Sequence, residues 1–121
     1  MTWRALSEEE LWDMINEETA RMGIRQGRLW EVMRIFPGKW RLRGWGDEGG
    51  GFWAVGLLGE LVLWYNDIEE GFNISPYNVY GEIGEYRCSQ DELGLAVQKL
   101  LWLVETGETF SYAGPPRPLG T

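Results

Sequence analysis

The sequence contains no histidine and a single cysteine, Cys88. Without histidine the chain cannot build the Ser-His or Cys-His nucleophile arrangements, nor any metal site that uses imidazole. One cysteine cannot form an intramolecular disulfide, and because no base lies near it in the sequence, we interpret Cys88 as structural rather than reactive. We therefore expect no catalytic residue, no bound metal and no cofactor.

Long apolar runs are missing too, and positive charge is scarce. No stretch approaches the ~18 apolar residues of a membrane span, and "MTWRALSEEELW" lacks the leader of a secreted protein, so we expect a cytoplasmic protein. Eleven basic residues stand against 19 acidic ones, a net charge of −8. Because phosphate backbones and anionic lipids repel such a protein, its composition favours basic proteins over nucleic acid or membranes as partners.

Tryptophan and glycine are abundant instead, with eight Trp and 17 Gly in 121 residues. Residues 7–22 predict an N-terminal helix, because Ser7 and Glu10 form a capping box and Gly23 suits the helix end. Most of the tryptophans lie at strand or helix positions that alternate into a core, so we interpret them mainly as packing residues.

A C-terminal helix is predicted over residues 89–106. Ser89 and Glu92 form a second capping box, and Gly107 suits the helix end. Apolar residues recur between them at the i, i+3, i+4, i+7 spacing of an amphipathic helix.

Between the helices the hydrophobic period falls to two and turn residues recur, which predicts an antiparallel meander of five or six strands. We expect turns at Pro37-Gly38 and Gly59-Glu60. The candidate strands are residues 28–36, 39–45, 52–58, 61–66, 71–75 and 78–86. The sequence thus predicts one α+β domain over residues 1–110, followed by an extended or disordered tail at 111–121.

Strand 52–58, "FWAVGLL", is apolar on both sides. A half-buried strand would alternate between apolar and polar residues, so we expect both faces of the sheet to be covered. Helices can cover one face. The other needs a helix, sheet curvature or a second copy of the chain, which makes a homodimer possible.

Charge is segregated along the chain. Residues 20–43 carry seven of the eleven basic residues against one acidic residue, and residues 44–92 carry ten acidic residues against one basic residue. In a meander this separation predicts a basic edge and an acidic edge of the sheet.

Two glycine-rich motifs do not fit the chemistry that they suggest. "GWGDEG" at 44–49 matches a dinucleotide-binding pattern, but two carboxylates would face the pyrophosphate and no helix follows. "NDIEEG" at 66–71 crowds three carboxylates but lacks the spacing of a calcium loop. We interpret both as loops between strands.

The acidic half contains an unusual stretch, residues 62–86, with six aromatic residues, five carboxylates and no Lys or Arg. Aromatic side chains rimmed by carboxylates suit the binding of a basic protein, because the aromatics supply buried contact area and the charges steer the partner. The same charges could equally serve only to keep the edge of the sheet soluble. The candidate partner-binding residues are Asp67, Glu69, Glu70, Asn73, Tyr77, Glu82, Glu85 and Tyr86.

The string "LWYNDIEEGFNISPYNVYGEIGEY" followed by "SQDELGLAVQKL" resembles a group of short uncharacterised bacterial proteins over about residues 53–104. In size, acidity and helix-sheet-helix plan the chain is similar to bacterial immunity proteins, the antidotes that bind and block toxins. The resemblance implies a non-enzymatic inhibitor of a basic toxin such as a nuclease. It carries no active-site motif and assigns no residue a role.

Two other functions stay open at this point. Tryptophans can stack on sugar rings, and paired carboxylates can cleave glycosidic bonds, so the chain could bind or process carbohydrate if exposed Trp residues share a groove with such a pair. The doubly apolar sheet could also serve only for self-association.

Overall fold

The structure is a computed structural model that describes residues 4–45 and 50–107. Its elements are, in chain order, α1 (Glu8–Thr19), α2 (Ile24–Met33), β1 (Arg34–Trp40), β2 (Phe52–Leu58), β3 (Leu61–Asn66), β4 (Gly71–Pro76) and α3 (Leu93–Thr106). The predicted tail at 111–121 lies outside the described residues, and so does the predicted domain end at residue 110.

The strands form one antiparallel sheet in the order β1-β2-β3-β4, which confirms the α+β class and the antiparallel pairing. β2 and β3 have the predicted bounds. Gly59 and Glu60 join them as expected, and the φ of 58° at Gly59 lies in the left-handed region that favours glycine.

The described residues contain four strands, so the prediction of five or six is wrong for them. Residues 24–33 form α2, although residues 28–33 were predicted to begin a strand, because Trp30 and Met33 lie three positions apart and both enter the core. β1 then runs through Pro37 and Gly38, where a shift of register against β2 takes the place of the expected turn.

Residues 78–86 do not form a strand either. The amide of Glu82 donates to the carbonyl of Val79 in a turn, and Gly81 has a φ of 96°, so the backbone cannot stay extended. Within the described residues, strand-like pairing of this region is limited to one isolated parallel bridge between Glu82 and Arg41.

The first capping box is confirmed. The Glu10 amide donates to the Ser7 hydroxyl and the Ser7 amide donates to the Glu10 carboxylate, both at 3.1 Å. A hydrogen bond from Arg4 is the largest of the effects that lower the pKa of Glu10 to about 2. The box predicted for Ser89 and Glu92 is wrong, because Glu92 is itself the N-cap residue of α3 and makes no side-chain cap bond.

Both predicted helices are shorter than expected. α1 covers residues 8–19 of the predicted 7–22, and α3 covers residues 93–106 of the predicted 89–106. Gly107 ends α3 as predicted, with a φ of 75°.

Three helices, rather than two, pack on one face of the sheet and enclose the main core. Its buried residues come from every helix and from three strands: Leu11, Ile15, Trp30, Met33, Val55, Leu63, Tyr65, Phe72, Ile74, Leu93, Ala96, Val97 and Leu100.

The opposite face is covered by residues 77–91, which have no regular secondary structure apart from isolated bridges. We call them the covering segment. Its residues Tyr77, Ile83 and Tyr86 pack with Phe52 and Trp64 in a second hydrophobic cluster. The face that we expected to need a helix, curvature or a second copy is therefore closed by the chain itself.

Candidate functional site

The covering segment is attached to the sheet by three buried polar side chains on β3 and β4. Each side chain donates a hydrogen bond to one backbone carbonyl, and the three carbonyls belong to alternate residues of the segment. The bonds run from Asn66 to Arg87 (2.9 Å), from Asn73 to Ser89 (2.9 Å) and from Ser75 to Glu85 (2.7 Å). Buried polar groups need such partners, so the contacts bind the segment in one register. Residues 85–89, which have no helix or strand of their own, are thereby held against the sheet.

Aromatic contacts fix the first part of this outer surface. The rings of Tyr77 and Tyr80 both pack on the buried Trp40, with centroid distances of 5.1 Å and 4.9 Å. The Tyr77 hydroxyl also donates to the carbonyl of Gly59 at 3.2 Å. Tyr80 is nevertheless 69% exposed and its neighbour Val79 is 56% exposed, so the surface presents apolar area in a fixed position.

A second aromatic contact lies where residues 41–45 meet the covering segment. Trp45 stacks on Tyr86 with ring centroids 3.8 Å apart and planes inclined by 15°. Trp45 remains 43% exposed. Burial raises the pKa of Tyr86, so its phenol stays neutral at physiological pH.

Between the two aromatic groups lies a cleft of about 370 Å³, lined by Arg41, Leu42, Arg43, Gly44, Asn78, Val79, Glu82, Ile83 and Gly84. The amide of Arg41 donates to the carbonyl of Gly81, and its carbonyl accepts from the amide of Ile83, both at 2.8 Å. The basic and acidic parts of the chain therefore meet here. The prediction that they form separate edges of the sheet is wrong at this point.

Two of the predicted partner-binding residues are buried and face the interior. Asn73 is 2% exposed and holds Ser89. Asp67 is 6% exposed, and its Oδ2 accepts a hydrogen bond from the amide of Leu6 at 2.9 Å. Both were assigned to a surface because polar residues usually lie outside, but here each anchors a neighbouring segment of backbone.

The other six predicted residues reach solvent to different degrees. Glu70 and Glu82 are exposed, and Glu69, Tyr77, Glu85 and Tyr86 are half-buried. Glu85 forms an ion pair with the buried Arg87 at 3.0 Å, so it also stabilises the segment. Glu69 and Glu70 lie in the turn between β3 and β4. Oδ1 of Asn66 accepts hydrogen bonds from the amides of Ile68 and Glu69 in this turn.

The sequence did not predict three exposed members of this surface, namely Trp45, Val79 and Tyr80. Val79 and Tyr80 lie in "SPYNVYGEIG", where Pro, Asn and Gly interrupt the alternation and favour a loop. Large apolar residues in such a loop were the available signal, because loops lie at the surface. The two arginines of the cleft were assigned to a separate basic edge.

Seven of the eight tryptophans are described, and two of them are exposed: Trp45, and Trp102 at 41%. Trp45 contacts the covering segment on one side of the sheet, whereas Trp102 belongs to α3 on the other. A carbohydrate groove of the kind considered above needs exposed tryptophans together, and these two are apart.

Within residues 4–45 and 50–107, no group of three or more Cys, Asp or Glu side chains is placed to hold a metal ion. In the same part of the chain, no helix combines the length and apolarity needed to cross a membrane.

A pH-dependent stability is expected from Asp67. Burial raises its pKa, although the amide of Leu6 and the charge of Lys39 act in the opposite direction. The folded-state pKa thus lies above the unfolded value of about 3.9, so stability falls as the pH rises from about 4 through the raised pKa. Asp67→Asn removes this titration and should gain stability relative to the wild type over that range.

Urea unfolding at a series of pH values measures the difference between the two proteins. A difference that stays constant from about pH 4 to about pH 7 would contradict the expected titration.

Comparison of the chain with protein-family models, with curated proteins and with solved structures finds no match.

Proposed function

We propose that the protein is a non-enzymatic protein-binding module whose binding surface is the outer side of the covering segment together with Trp45. The observation that carries the proposal is the fixed exposure of Val79 and Tyr80. Exposed aromatic side chains held by a rigid support are typical binding hot spots, because little entropy is lost when a partner covers them.

The charges around this surface favour a basic partner. Glu69, Glu70 and Glu82 reach solvent, and the whole chain carries a net charge of −8. Such a field raises the association rate with a basic protein and orients it on approach. Arg41 and Arg43 in the cleft add two positive groups that suit a carboxylate of the same partner.

Within this class, the most specific function that we propose is an immunity-type inhibitor of a basic bacterial toxin such as a nuclease. A nuclease surface that binds phosphate is basic, so an acidic protein with an aromatic centre complements it. The test is titration of the protein with a panel of purified basic nuclease toxin domains, in which nuclease inhibition and calorimetric binding are both measured. Lack of binding to every domain at micromolar concentration and low salt would count against this function.

Tyr80→Ala should weaken binding to a domain found in that panel by at least about 30-fold, the effect of losing a hot-spot aromatic residue. The variant should lose no more than about 1.5 kcal/mol of stability, because Tyr80 is mostly exposed although its ring packs on Trp40. Trp102→Ala is a matched control, since this aromatic residue is exposed on the other side of the sheet. Equal affinities of the two variants would exclude Tyr80 from the interface.

The triple variant Glu69→Lys/Glu70→Lys/Glu82→Lys should lower the association rate at low salt by about 10-fold or more, with a smaller effect at high salt. The matched control reverses three exposed acidic residues of α1, Glu9, Asp13 and Glu17, and changes the net charge equally. If both variants slow association to the same extent, the association rate depends on net charge alone, and Glu69, Glu70 and Glu82 have no specific role.

A further inference from the structure

The outer face of α2 presents apolar side chains that nothing in the described chain covers. Ile24, Val32 and Phe36 are 76%, 81% and 78% exposed, the largest values among the exposed large hydrophobic residues of the structure. Ile24 and Val32 lie eight positions apart on one side of α2, and Phe36 follows as the third residue of β1. This side is distinct from the surface proposed above, which lies across the sheet.

The polar residues of the same face are self-complementary. Arg28 and Glu31 are both exposed and lie three positions apart, so they are neighbours on the helix surface. When two copies of α2 pack antiparallel about a two-fold axis, each Arg28 meets Glu31 of the partner subunit, and the contact occurs twice. Among the described residues, Glu31 makes a solvent-exposed contact with Arg34 at 3.6 Å, which is a weak competitor.

Gly27 completes this face. A side chain at this position would meet no atom of the described residues within 4 Å, so internal packing does not require glycine there. A glycine inside a helix lowers the stability of the helix relative to alanine. Its lack of a side chain does allow a second helix to approach closely between Ile24 and Glu31.

From these three features we propose that the protein forms a two-fold homodimer through antiparallel pairing of α2. α2 has ten residues and is about 15 Å long, so the interface is small even when Phe36 extends it. Phe36 packs edge-on against Trp12 with ring centroids 5.9 Å apart. This contact holds the Phe36 ring in position to pack against the partner subunit. An interface this small is of the weak, transient class, so we expect dimerisation between about 1 µM and about 1 mM.

The test is sedimentation equilibrium of the full chain from about 1 µM to about 1 mM. We expect a monomer at the low end and a dimer at the high end. Arg28→Glu and Glu31→Arg should each raise the dissociation constant by at least about 10-fold, because each variant places like charges against each other twice. The double variant Arg28→Glu/Glu31→Arg should restore dimerisation, and a loss of folding cannot produce that restoration.

Val32→Asp tests the apolar part of the interface and should leave the protein monomeric. The control Val79→Asp also changes an exposed valine and should dimerise like the wild type. Three results would overturn the proposal. The wild type could stay monomeric to about 1 mM, or the double variant Arg28→Glu/Glu31→Arg could fail to dimerise. Dimerisation that is equally strong in Val32→Asp would place the interface elsewhere.

Discussion

Replacing Asn73 by alanine should lower the free energy of unfolding by about 2–4 kcal/mol. The Asn73 side chain donates to the carbonyl of Ser89 and accepts from its amide at 2.7 Å, so one side chain satisfies both backbone groups of that residue. It also donates to the carbonyl of Gly71 at 3.3 Å. Alanine removes all three bonds and leaves polar backbone groups at a closed sheet face without their partners.

Urea denaturation followed by tryptophan fluorescence measures this loss. The control is Asn78→Ala, an exposed asparagine of the covering segment, whose stability should stay within about 0.5 kcal/mol of the wild type. If Asn73→Ala were as stable as the control, the attachment of the segment would not depend on this side chain.

Gly71→Ala should destabilise the fold by about 3 kcal/mol or more, although it adds a single methyl group. A Cβ at Gly71 would lie 2.3 Å from the Cα of Gln90 and 2.5 Å from the carbonyl oxygen of Ser89. These are backbone atoms and cannot rotate away, so the end of the covering segment would have to move. The hydrogen bond of 2.8 Å from the Phe72 amide to the Asp91 carbonyl would be lost with it.

The same substitution in α3 should have the opposite sign. A Cβ at Gly94 would meet no atom within 4 Å, so Gly94→Ala should stabilise the protein by about 0.5–1 kcal/mol. Thermal and urea unfolding of both variants test this pair. Equal effects at the two glycines would show that the contact between Gly71 and the covering segment is not tight.

Local patterns were enough to predict the centre of the sheet. The apolar runs "FWAVGLL" and "LVLWYN" and the Gly-first turn between them determine β2, β3 and their pairing, because these signals act over a few residues. The helix over residues 24–33 was missed because residues 28–33 were taken for the start of a strand. In the fold, Trp30 and Met33 enter the core together only in a helix, and that requirement is tertiary.

The candidate site was predictable in part. Its acidic and aromatic composition was evident from the sequence, and Glu69, Glu70 and Glu82 do reach solvent. The burial of Asp67 and Asn73 was not evident, because the sequence does not show whether a short polar side chain in or just after a strand meets solvent or a distant backbone group. The immunity-protein function stays a prediction.

The side-chain attachment of the covering segment has a consequence for local opening of the protein. Strands β1–β4 are joined by backbone ladders, whereas residues 85–89 are held by bonds from Asn66, Asn73 and Ser75. These five residues can detach without breaking the sheet, so their amides should exchange with solvent deuterium through a local opening, at a lower free energy than the strands. A ligand on the outer side of the covering segment selects the closed form and slows that exchange, so amide protection in this segment would report occupancy even where the ligand itself is invisible.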